Sequence, residues 1–297
     1  MIATTLFGGM GNQMFIYAMA RAMALKNGVS ASFNIVDGFK YDFLYKRQLE
    51  LKHFCLDLPV KNNILLFSIP FGHYIHKISD KIGIHLLKPN YKYIKENADL
   101  HFQEELTLCQ YKNVYLEGYW QSPMYFSGFE EIIHDDFQIK TSIPKETLDE
   151  WEYLKATGKT LVFVGVRRYQ EAIGKNCPLT VCNANFYNEA MRKMNEKIDD
   201  PLFVIFGEQK EWAEANLSSQ HKKYFIKKKS GELSAISDLF LMRNCHHAII
   251  SNSTYYWWGA WLQVKDQSKH YVIAPDNFIN PDTPCKEWEI LTLKNQF

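Results

Sequence analysis

The run Leu161-Val162-Phe163-Val164-Gly165-Val166 is apolar and rich in β-branched residues, and it ends on Arg167-Arg168. A run of this kind folds as a buried strand of an α/β sheet. It delivers two fixed positive charges to the strand's C-terminal end, the edge of an open α/β sheet where ligands bind. Arginine grips phosphate through a planar fork of donors. Two adjacent arginines after a core strand are more commonly a surface salt-bridge pair of little energetic worth, so the remaining motifs decide between the two readings.

The pattern around this strand repeats. Residues 160–166 predict a strand, 184–197 a helix, 202–206 a strand and 209–216 a helix. A short strand over 224–226, a helix over 232–243, a strand over 248–250, a helix from about 255 to 263 and a last strand over 272–274 follow. Five strands with helices between them make a Rossmann-like domain. The N-terminus opens in the same way: a strand over Ala3–Phe7, a glycine turn, a helix closed by Asn27-Gly28 and a strand over 31–36. Residues 40–135 are irregular and rich in Tyr and Phe, with one strand predicted at Val114–Leu116. Ile143-Pro144 interrupts the chain and a helix over 145–155 follows, so two domains are expected, 1–150 and 151–297.

Three further motifs carry chemistry. Gly8-Gly9-Met10-Gly11-Asn12-Gln13 lies between a strand and a helix. It lacks the third glycine of the dinucleotide fingerprint, which is Met14 here. Gly9 and Gly11 permit close backbone approach, and Asn12 and Gln13 offer amides to a sugar hydroxyl or a phosphate oxygen. Ser251-Asn252-Ser253-Thr254 follows a strand and opens a helix, where hydroxyls and backbone N–H groups make an anion site. A plain Ser/Thr N-cap has the same pattern. In Tyr255-Tyr256-Trp257-Trp258-Gly259-Ala260-Trp261 the three tryptophans read as packing before they read as a sugar platform, because only part of a helix can face a site.

The 23% charged fraction and the formal net charge of +1 exclude bulk nucleic-acid binding. The lysines between His221 and Lys229 read as a solvated turn, or else as a patch that attracts an anionic donor or surface. Six scattered cysteines without Cys-x-x-Cys point to reduced thiols. Cys245-His246-His247 lacks ligand spacing, so no metal site is expected there. Residues 1–10 lack a charged leader region, and no run approaches the ~20 apolar residues that span a bilayer. A cytoplasmic setting is expected. Residues 63–94 are the one segment that could touch an inner-membrane surface, although core-facing helices are the commoner outcome.

Taken together, the glycine motif (extended by Met14-Phe15), Arg167-Arg168 and the stretch from Ser251 to Leu262 resemble the bacterial α-1,2-fucosyltransferases of glycosyltransferase family 11. Glu117-Gly118-Tyr119-Trp120-Gln121-Ser122 and Val272-Ile273-Ala274-Pro275 fit the same family. The resemblance covers nearly the whole chain. It implies a GT-B-like α/β fold of two facing Rossmann-like domains. The implied reaction is metal-independent, inverting transfer of fucose from GDP-β-L-fucose to the 2-hydroxyl of a terminal galactose on an oligosaccharide or lipid-linked glycan. It implies further that Arg167 engages the β-phosphate, that Asn12 lies near the diphosphate and fucose, that Asp238 reads the guanine, and that Ser253 and Thr254 contact phosphate.

The chain departs from the family pattern twice. The usual His-x-Arg-Arg-Gly-Asp-Tyr is Gly165-Val166-Arg167-Arg168-Tyr169-Gln170-Glu171 here, and Phe-Ser-Asp-Asp-x-x-Trp is Phe206-Gly207-Glu208-Gln209-Lys210-Glu211-Trp212. Glu171 and Glu208 are therefore candidate bases for the acceptor hydroxyl, while a strongly dissociative reaction needs none. Two rival readings stay open at this point. One is a related transferase using another GDP-deoxysugar. The other is a non-catalytic carbohydrate-binding protein, which would have no use for paired arginines beside a hydroxyl-rich helix start.

Overall fold

The computed structural model describes residues 1–40, 42–43, 45–60, 92–108, 110–168, 181–263 and 269–292. The chain divides into two compact units, Met1–Gln138 and Ile139–Phe297.

The first unit is built on a parallel sheet of four strands, β1 (Ile2–Thr5), β2 (Ala31–Asn34), β3 (Lys92–Lys95) and β4 (Val114–Glu117), in the order β2-β1-β4-β3. Helix α1 (Met10–Lys26) makes the crossover from β1 to β2. Its Ala- and Met-rich sequence favours helix, and it is buried on nearly every face, as a helix inside a core must be. It stops at Asn27 because Gly28 takes a φ of 61°. Arg21, on its outer face, bonds Asp136 at 2.9 Å on the short helix α2 (Glu130–Asp136).

The second unit opens with α3 (Lys145–Ala156) and continues β5 (Leu161–Gly165), α4 (Ala184–Lys197), β6 (Leu202–Phe206), α5 (Lys210–Asn216) and β7 (Lys223–Phe225). After these come α6 (Ser234–Asn244), β8 (His247–Ile250), α7 (Thr254–Trp261), β9 (Val272–Pro275) and β10 (Glu289–Leu291). The sheet runs β10-β9-β8-β5-β6-β7 and every pair is parallel. This is the Rossmann strand order, with the reversal of direction between β5 and β8. The β5 and β6 residues are all buried, which is why their sequences read as unbroken apolar runs. Val162, Val164, Phe203, Ile205 and Ile249 pack against Phe186, Met191 and Met194 of α4.

The second unit has one strand more than its sequence predicts, β10, and β3 is likewise unannounced in the first. Both are edge strands. None of the three β10 residues is buried, and only Ile94 is buried in β3. At an edge, backbone pairing without an apolar run is enough. In the first unit β1 ends at Thr5 rather than Phe7, and β2 ends at Asn34. The tryptophans do pack: Trp257 and Trp258 are fully buried, Trp261 nearly so, and Trp257 donates to the Thr283 carbonyl at 2.7 Å. Gly259 lets α7 close on α6, because a Cβ there would sit 3.0 Å from Met242 Sδ.

His246 and His247 also serve the framework. His246 Nδ1 accepts from the Leu161 N–H at 2.9 Å, and His247 Nδ1 accepts from the Tyr271 N–H at 3.2 Å. Among the described residues no group of three acidic, His or Cys side chains could hold a metal. No described helix is long and apolar enough to cross a membrane.

Burial, helped by the neighbouring His270 and His246, pushes His247 down to about 4. The folded value lies below the unfolded value of about 6.5. The unfolded chain therefore binds the proton first, and stability is lost as pH falls from about 6.5 towards 4. We expect the Tm to drop across that window and a His247→Gln variant to show a shallower drop. Equal pH slopes for the two proteins in a thermal melt would remove His247 as the cause.

Candidate functional site

Beyond the C-terminal ends of β5 and β8, at the point where the strand order reverses, two side chains meet. Arg167 Nη1 lies 3.4 Å from Ser253 Oγ. Ser253 is the N-cap residue of α7, yet its hydroxyl makes no capping bond to that helix. The simple N-cap expected from the sequence is therefore not what forms: the hydroxyl turns to the guanidinium, and the first N–H groups of α7 receive no side-chain cap from it. Those N–H groups, the helix dipole, a guanidinium and a hydroxyl together suit an anion.

The loop before α7 is tightly held. Ser251 N–H donates to the Gly165 carbonyl at 3.2 Å, and Ser253 N–H donates to the Ser251 carbonyl at 2.7 Å. Ser251 is fully buried beside the Tyr187 hydroxyl. Asn252 donates through Nδ2 to the Asn277 carbonyl at 3.3 Å, and Thr254 begins α7. Tyr187 supports the other side, with its hydroxyl 3.4 Å from both the Arg167 N–H and the Gly165 carbonyl. Burial raises the Tyr187 pKa well above the usual phenol value, so it acts as a neutral hydrogen-bonding group.

The two arginines are held differently. Arg168 lies with its guanidinium carbon 4.3 Å from the centre of the Trp212 ring on α5. The cation–π contact fixes a side chain that would otherwise be mobile. Gly207 makes the approach of β5 and β6 possible, with a φ of 147° and no room for a Cβ, which would lie 2.3 Å from the Val166 carbonyl oxygen. Glu208, one residue on, is exposed. Glu171 lies outside the described residues.

Asp238 sits in α6. Its Oδ1 is 3.2 Å from Lys229 Nζ, and Lys229 also bonds Glu150 Oε2 at 3.0 Å. The lysine-rich segment therefore does not behave as one solvated face. Lys222 pairs with Asp200 at the surface, while Lys229 is buried. Helices α6 and α7 are tied at their N-terminal ends, where the Tyr255 hydroxyl donates to the Ala235 carbonyl.

The pattern of Glycosyl transferase family 11 matches residues 1–290. The chain belongs to glycosyl transferase family 11. It is a glycosyltransferase. Among its relatives is the O-antigen biosynthesis glycosyltransferase WbnK of Escherichia coli, 28% identical over 91% of this chain and 92% of that protein. An alpha-1,2-colitosyltransferase of Escherichia coli is 24% identical over 96% and 97%. The galactoside alpha-(1,2)-fucosyltransferase 2 of Hylobates lar is 24% identical over 93% of this chain and 72% of its own length.

The glycine motif of this family 11 member belongs to the first unit. Only Gly8 takes a left-handed φ, 77°, and Gly9 is the N-cap of α1 with open space where a Cβ would stand. Gly11 and Asn12 fall in the first turn of the helix. Gln13 is fully committed to the protein. Its Nε2 donates to the carbonyls of Gly8 and Gln48 at 2.9 and 2.8 Å, and its Oε1 accepts from the Glu50 N–H at 2.9 Å. Gln13 therefore fastens the turn, and of the two amides it is Asn12 that is half-exposed. Asn12 Oδ1 accepts from Gln121 Nε2 at 3.1 Å, which joins the glycine motif to the Glu117–Ser122 stretch of this unit. Glu96 secures the second stretch by accepting the N–H groups of Tyr119 and Trp120 at 2.7 and 2.9 Å.

Sequence reasoning missed Tyr256, Trp212 and Lys229. The Tyr256 ring lies over Gly165: a Cβ on Gly165 would lie 2.4 Å from the ring, and the Tyr256 hydroxyl donates to the Val166 carbonyl at 3.3 Å. We expect Gly165→Ala to destabilise the protein by about 1–3 kcal/mol, as overpacking does. A second change, Tyr256→Val, should recover part of the loss in a denaturant melt. A Gly165→Ala protein as stable as the parent would show that the ring has another place to go.

Proposed function

We propose that the chain transfers L-fucose from GDP-β-L-fucose to the 2-hydroxyl of a terminal galactose, with inversion at the anomeric centre and without a metal ion. The observation that carries the reading is the Arg167–Ser253 contact at the start of α7, where the Ser253 side chain makes no capping bond. Breaking a sugar–phosphate bond builds negative charge on the departing diphosphate and positive charge on the sugar. Donors fixed in advance where the negative charge develops lower the barrier, because they bind the transition state better than the ground state. Arg167, Ser253, the N–H groups of Thr254 and its successors, and Arg168 on its Trp212 support supply such donors. Ser251 and Asn252 shape the loop that presents them.

The names of the relatives support the acceptor linkage: both the fucosyl and the colitosyl enzyme are named for α-1,2 transfer. The colitosyltransferase also supports a second reading, in which the donor is a different GDP-linked deoxysugar. We assign the acceptor, a galactose-terminated oligosaccharide or lipid-linked glycan, to the first unit, which bears Asn12.

The donor is tested by incubating the enzyme with GDP-fucose or the corresponding colitosyl donor and a galactoside panel, with product linkage read by NMR and each arm repeated in EDTA. We expect fucosyl transfer to O2, unaffected by EDTA. Turnover of Arg167→Ala should fall about a hundredfold or more while the protein stays folded. Arg167→Lys should fail similarly, since an ammonium cannot reproduce the fork. Near-normal turnover in either variant would refute the role of Arg167.

A further inference from the structure

Lys229 is a buried cation that the proposed chemistry does not use. Its side chain is 5% exposed and lies between two carboxylates, Glu150 at 1% and Asp238 at 32% exposure. The environments of the two acids differ. Both oxygens of Glu150 are filled: Oε1 accepts from the Tyr224 hydroxyl at 3.1 Å and the Lys227 N–H at 2.9 Å, and Oε2 takes Lys229. Glu150 is thus an internal anchor. Asp238 is held by Lys229 through Oδ1 alone, and among the described residues no hydrogen bond reaches its Oδ2. A buried lysine with one sealed carboxylate behind it therefore presents a second carboxylate with one oxygen to spare.

A carboxylate offered in this way recognises two N–H donors side by side. Among the common nucleobases guanine has that edge, with N1–H next to the 2-amino group; adenine has an acceptor at N1. The place is suitable, since α6 is joined at its N-terminal end to α7, whose start carries the Arg167–Ser253 pair.

We propose that Lys229, anchored by Glu150, is a positioning residue that fixes the Asp238 carboxylate, charged and oriented, for selection of a guanine base. The inference rests on the reading that the donor is a GDP-sugar, and it adds the device that sets base selectivity. Lys229 makes no contact with the base and acts through Asp238. Burial raises the Asp238 pKa, and the adjacent Lys229 ammonium opposes that rise. With Lys229 gone, Asp238 would face Glu150 with no cation between them.

The experiment is calorimetric titration of the full chain with GDP and with ADP. The variants are Lys229→Met/Glu150→Gln, which removes the pair without leaving a lone buried charge, Lys229→Arg and Asp238→Asn. We expect the parent to prefer GDP and the double variant to lose about tenfold or more in GDP affinity with ADP binding unchanged. Lys229→Arg should retain most of the preference. In the Asp238→Asn background the double change should add no further loss. A folded double variant that keeps the parent's GDP-to-ADP ratio, or a loss that adds fully to that of Asp238→Asn, overturns the positioning role while leaving the GDP-sugar reading intact. A parent that shows no preference for GDP overturns that reading, and this inference with it.

Discussion

The parallel register of β5 against β8 is the constraint on which the rest of the second unit depends. Val164 pairs with Ile249 and Gly165 with Ile250, so both strands end at the same level and both loops leave the sheet together. Because the strand order reverses there, the two chains diverge and leave a crevice between them. Arg167 comes from one loop and Ser253 from the other. A slip of one residue in either strand would turn its side chains to the opposite face and undo the contact. The apolar content of β5, β6 and β8 therefore fixes the stability of the sheet and the position of a polar pair that contributes little stability itself.

Around this pair the support is redundant and mostly neutral. Tyr187 and Tyr256 donate to the Gly165 and Val166 carbonyls at and just beyond the end of β5, Ser251 is held by its backbone bond to Gly165, and Trp212 carries Arg168 by its ring face. Charges are kept to few positions. The buried charge of Lys229 has two carboxylates beside it, one of them with both oxygens filled, which is the condition under which a buried ion pair is tolerated. The first unit follows the same pattern, with Gln13 bound to backbone groups of Gly8, Gln48 and Glu50 and Glu96 to those of Tyr119 and Trp120.

Much of this was legible in the sequence where burial is two-sided. The helix over 184–197 and the strand over 202–206 form with the expected bounds, and the Arg167, Ser251 and Ser253 positions converge as strand-end motifs should. The α/β class follows from the same runs. The signal fades at the sheet edges: Glu289–Leu291 and Lys92–Lys95 bury at most one residue each and leave little trace in the apolar pattern. It fails for partners distant in sequence. Nothing around Lys229 distinguishes it from its solvated neighbours until Glu150 and Asp238 arrive from two helices, and nothing around Tyr256 announces that its ring lies over Gly165. Gln13 was misleading for a related reason, since an amide beside a glycine turn suits a ligand as well as it suits the three backbone groups it binds.

The ring of Tyr256 resting on Gly165 bears on how such a sequence can change over generations. The two positions form an epistatic pair: each tolerates its present occupant because of the other. Any larger side chain at position 165 would first require a smaller one at 256, and the ring at 256 is accommodated only while 165 stays bare. Volume can therefore move between this strand and this helix only by both substitutions in one step.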